Sequence, residues 1–82
     1  MYVAMPRFFF DIDDGIRLVR DTDGLDLPSL DAARAEALAV LPALARDMVP
    51  HGYHRRIRCA VRSEDGQVVF AASLAFTVER LH

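Results

Sequence analysis

From Arg7 to Ile12 the side chains alternate on a period of two. Phe8, Phe10 and Ile12 share one face, while Arg7, Phe9 and Asp11 share the other. The pattern predicts a β-strand and separates Phe9 from its two neighbours, because three consecutive phenylalanines on a strand cannot all point into one core. Asp13-Asp14-Gly15 supplies turn chemistry, and Ile16 to Arg20 reads as the returning strand. Ile16 and Leu18 are expected on the first face, Arg17 and Val19 on the second. Asp21-Thr22-Asp23-Gly24 breaks this strand with another turn.

The period then changes to that of a helix. Leu30, Ala33, Ala37, Leu41, Leu44 and Met48 recur at intervals of three and four. Ser29 is placed to cap the first turn, and Asp31 to face its positive dipole end. Alanines at positions 32, 33, 35, 37 and 39 add helix propensity and allow close packing. Pro42 lies inside this run, where a proline removes a hydrogen bond and crowds the preceding turn. A kink near Leu38 to Leu41, or two shorter helical pieces, is expected. Pro50-His51-Gly52 ends the segment.

Alternation returns at Arg55. Ile57, Cys59 and Val61 face one way, and Arg56, Arg58, Ala60 and Arg62 the other. Ser63-Glu64-Asp65-Gly66 is a hairpin signal, and Gln67 to about Ala72 makes the fourth strand. Leu74, Phe76 and Val78 keep the same period, so the tail either extends this strand or folds separately.

The predicted fold is α+β: a four-stranded antiparallel sheet, β-β-α-β-β, with one long helix, kinked or split at Pro42, on one face. A right-handed crossover through the helix places the third strand beside the first, giving the order 2-1-3-4. Phe8, Phe10, Ile16, Leu18, Ile57, Cys59, Val61 and Phe70 are expected to meet the helix stripe, leaving Phe9 on the far side.

The 82 residues make a single domain, residues 1–82, with Met1–Ala4 set aside as a disordered leader. Apolar residues make up 52% of the chain, enough to drive collapse. Ten basic against twelve acidic residues leave a charge of −2, which favours no polyanion. Every basic residue is arginine, whose planar fork suits carboxylates, phosphates and aromatic faces. One cysteine, Cys59, excludes an internal disulfide and fits a reducing cytoplasm. No secretory signal or membrane-spanning run is present, so no membrane partner is expected.

The sequence Met5-Pro6-Arg7-Phe8-Phe9-Phe10, then Asp14-Gly15, Asp21-Thr22-Asp23-Gly24-Leu25-Asp26-Leu27-Pro28 and Leu30-Asp31-Ala32-Ala33-Arg34-Ala35-Glu36-Ala37, resembles a family of short bacterial proteins catalogued only as a domain of unknown function. The likeness runs from Met5 to Phe76. It implies a small α+β domain and brings no catalytic residues. The strand-strand-helix-strand order is also similar to the antitoxin half of certain bacterial toxin–antitoxin pairs, a likeness of topology that implies a regulator.

Candidate chemistry is sparse. A calcium loop needs acids at its first, third and fifth positions and glutamate at its twelfth. From Asp11 the fifth is Gly15 and the twelfth Thr22; from Asp21 the fifth is Leu25. Both readings fail, so these aspartates read as turn residues. His51, His54 and Cys59 match no zinc spacing. Ser29, Ser63 and Ser73 fall at a cap, a turn and a strand, and Cys59 points into the core, so no activated nucleophile stands out. No cofactor, no metal and no catalysis are expected.

What remains is the sheet face away from the helix. There Phe9, Val19 and Val69 form an apolar centre with Arg7, Arg17, Arg56 and Arg58 on the rim, and Arg62 nearby. Such a patch points first to a protein partner, above all a second copy in a homo-oligomer. Arginine stems lying over Phe9 would instead shield it. Stacking of single-stranded nucleic acid on the same arginines is the third reading.

Overall fold

The computed structural model describes residues 5–48 and 54–81, so the expectations for Met1–Ala4, for His51 and for the helix end at Pro50-His51-Gly52 lie outside the described residues. In chain order the elements are β1 (Arg7–Asp13), β2 (Leu18–Val19), β3 (Leu25–Asp26), α1 (Leu30–Met48), β4 (His54–Arg62) and β5 (Val68–Thr77). The sheet is antiparallel, in the order β2-β1-β4-β5, and β3 adds a second short pairing to β1. This is the expected α+β architecture with one additional strand. The β5 tail continues the fourth strand to Thr77.

The helix lies over β4 and β5. Ala33, Ala37, Leu41 and Ala45 bury their side chains against Phe8, Ile57, Cys59 and Val61, and Ile57, Cys59 and Val61 are wholly enclosed. The small alanines bring helix and sheet close. Phe10, Ile12, Leu44, Met48 and Phe70 pack around this centre half-buried. Burying one Ile or Val contributes roughly 1.5–3 kcal/mol. Ser29 caps the helix, its Oγ accepting from the Ala32 N–H at 3.2 Å. Leu30, expected in the stripe, is 44% exposed: it opens the helix beyond the sheet, and Ala45 takes the buried role instead.

The helix is one 19-residue element that runs through Pro42, the single long helix rather than the split form. Pro42 is exposed, and its missing N–H leaves the Leu38 carbonyl without its usual helical donor. One expectation is corrected. Ile16 and Leu18 do not reach the core; they are 77% and 66% exposed. The β1–β2 register sets Asp13 opposite Leu18 and Ile12 opposite Val19. The loop between them therefore spans Asp14 to Arg17, where the Asp14 carboxylate accepts the Ile16 and Arg17 N–H groups. That loop shifts the return strand by one position, which turns each of its side chains to the opposite face. Val19 accordingly belongs to the helix side of the sheet, not to the side of Phe9.

The two rims of the sheet differ. Along β1, two short strands leave a gap, and Asp21 fills it: its carboxylate accepts the Phe10 N–H at 3.1 Å, while its own N–H donates to Asp11 at 2.9 Å. On β1's inner side, beyond the Phe9–Arg62 pair with β4, the Glu64 carboxylate accepts the Arg7 N–H at 2.8 Å. Along the other rim, β5 pairs with β4 alone among the described residues. Its ten residues, VVFAASLAFT, carry no charge, and none of them is buried.

Candidate interaction surface

On the face away from the helix, Phe9 stands opposite Arg62 of β4, and Val68 and Val69 of β5 face Arg62 across a bulge. The Arg62 guanidinium lies 4.8 Å from the Phe9 ring centre. The same group donates to both oxygens of Asp11 at 2.9 and 3.2 Å and to the Asp21 carbonyl at 2.9 Å. Gly24 closes over the edge of Phe9. Its φ is 73°, and a Cβ there would lie 2.9 Å from Phe9 Cε1 and 2.8 Å from Arg7 Cγ. The bare Phe9 expected from the sequence is thus corrected to a half-buried one, covered by Arg62 and by the turn that precedes β3.

The structure splits the predicted constellation. Phe9, Arg62 and Val68 lie in one row, with Val69 the extra residue of the bulge beside it. Val19 lies on the opposite face, and Arg17 sits in the exposed loop before it. Arg7 is committed to Asp26, at 2.9 Å, and to the Asp23 carbonyl, also at 2.9 Å. Arg56 and Arg58 are at the other end of β4, exposed and without a salt bridge among the described residues. They border a shallow hollow of about 220 Å³ with Asp13 and Gly15. A second, of about 370 Å³, lies beside it between Ile16, His54 and Arg55. His54 shares a hydrogen bond with Thr77 at 3.2 Å, and Arg55 pairs with Asp14 at 3.6 Å.

Electrostatics follow from these contacts. The hydrogen bond from Arg62 holds the Asp11 carboxyl below the usual 3.8, outweighing the opposing effect of burial. Burial pushes Asp21 up, but the N–H groups of Gly24, Phe10 and Asp23 together bring it below the usual range. Burial raises the Cys59 thiol, with Asp11 adding to the effect, so its nucleophilic thiolate is disfavoured at neutral pH.

The Asp11–Arg62–Asp21 cluster was not singled out from sequence. Alternation puts Asp11 and Arg62 on the same face, which was the available signal. Their meeting depends on the β1–β4 register, a contact across 51 positions. The sequence marks Asp21 as a turn residue; the structure shows that it also bridges a strand gap.

Residues 7–75 match a family model described as Domain of unknown function (DUF6894). Comparisons with curated proteins and with solved structures find no match.

Proposed function

The chain belongs to the DUF6894 family, a domain of unknown function, and from that premise we propose that it is a non-catalytic domain that acts by protein–protein contact, with a second copy of itself as partner. The observation that carries this reading is exposed apolar surface along β5 and the helix beside it: Val68, Val69, Leu38 and Leu74 are all at least 36% exposed.

The contact is better sought on the β5 half of the sheet than around Phe9, whose ring Arg62 already covers. Shallow hollows and a protonated, buried Cys59 favour the non-catalytic reading. No helix among the described residues is long and apolar enough to cross a membrane. The lone cysteine fits a reducing compartment, which supports a cytoplasmic setting.

Sedimentation equilibrium of the full chain across micromolar to millimolar concentrations tests the proposal. A mass of twice 9.2 kDa is expected at the upper end; a monomer throughout defeats it. The second reading, nucleic acid bound through Arg56 and Arg58, has those two exposed guanidinium groups in its favour. Its mark is salt-dependent binding of single-stranded RNA that Arg56→Glu and Arg58→Glu abolish.

A further inference from the structure

We propose that β5 pairs with the β5 of a second copy, antiparallel about a two-fold axis, merging two sheets into one continuous sheet. The inference rests on the self-association reading above and specifies its geometry.

An outer strand leaves alternate N–H and C=O groups without partners. Sheets protect such strands by shortness, charge, proline or covering. Here the strand is 10 residues long, uncharged and free of proline, with a bulge only at its Val68 end. The opposite rim is covered by β2, β3 and Asp21. A two-fold contact sets a strand against itself, so any charge on it would oppose a like charge nearby. The neutrality of β5 fits that requirement.

The flanks agree as well. On the helix side, Leu74 is 36% and Leu38 42% exposed beside half-buried Phe70 and Phe76. Edge pairing brings these two rows together across the axis, between the two helices. On the other face the strand offers Ala71, Ser73 and Ala75, too small to obstruct the approach.

Amide hydrogen exchange of the full chain at associating concentrations reads the pairing directly. Continuous protection from Val69 to Phe76 is expected, collapsing to alternate-residue protection on dilution. Ser73 is exposed, so Ser73→Lys and Ser73→Glu leave the fold intact by circular dichroism. Each alone is expected to weaken association by about tenfold or more, through like charges meeting across the axis. An equimolar mixture of the two is expected to restore it. A dimer whose β5 amides stay alternately protected, or whose affinity ignores both substitutions, overturns edge pairing and leaves self-association standing. A chain that remains monomeric while β5 takes up an extended peptide from another protein overturns both.

Discussion

Asp21 is a single side chain doing the task of a missing strand segment. It accepts three backbone N–H groups, from Phe10, Asp23 and Gly24, and its own N–H and carbonyl tie it to Asp11 and Arg62. Asp21→Ala leaves the part-buried Phe10 donor unpaired, and a loss of about 1–3 kcal/mol is expected in urea denaturation. The pH response has a definite sign. Asp11 and Asp21 both titrate below the usual 3.8 in the folded chain. They therefore stabilise the fold above that value, and the benefit disappears as pH falls through their folded values. Urea midpoints measured from pH 6 downward should drop most steeply below about pH 4, and Asp11→Asn should flatten that drop. Gly24→Ala forces a Cβ against Phe9 and Arg7 at a positive φ; the backbone term alone costs about 1–2 kcal/mol, measurable as a lower Tm. The alternation in the sequence was enough to oppose Phe9 to Phe8. It did not reveal that Arg62 covers Phe9, because which strand residue lies opposite another is a matter of register.

At the scale of elements, long periodic segments were readable and short ones were not. The helix stripe and the alternation of β1 and β4 arise from local spacing, and each side chain's burial follows. β2 and β3, two residues each, have no period to detect and are held by contacts made elsewhere. The loop from Asp14 to Arg17 defeated the assignment of Ile16, Leu18 and Val19, since loop length sets parity. Helix α1 yields two further expectations. Ser29→Ala removes the cap and should lower stability by about 1 kcal/mol. Pro42→Ala should raise it, by at most about 3 kcal/mol, because the position is exposed and the alanine restores a donor to the Leu38 carbonyl. Thermal melts followed by circular dichroism at 222 nm check both; a Pro42→Ala variant that melts lower would show that the fold gains from the proline where it stands.

For the molecule as a whole, the enclosed core is thin. Among the described residues, nine hydrophobic side chains are buried, five of them alanine or cysteine. A domain this small is marginal by itself, and association adds to folding stability by mass action. Tm is therefore expected to climb with protein concentration in calorimetry, and Ser73→Lys to abolish the climb. The unequal rims of the sheet decide how far such assembly can go. With β1's side closed by Asp21 and its short strands, pairing through β5 as proposed would use the one long open edge among the described residues. Growth would then be self-limiting: a finite pair in place of a fibril. Stripping away Asp21 would give each copy a second point of attachment, and with it a route to open-ended polymers.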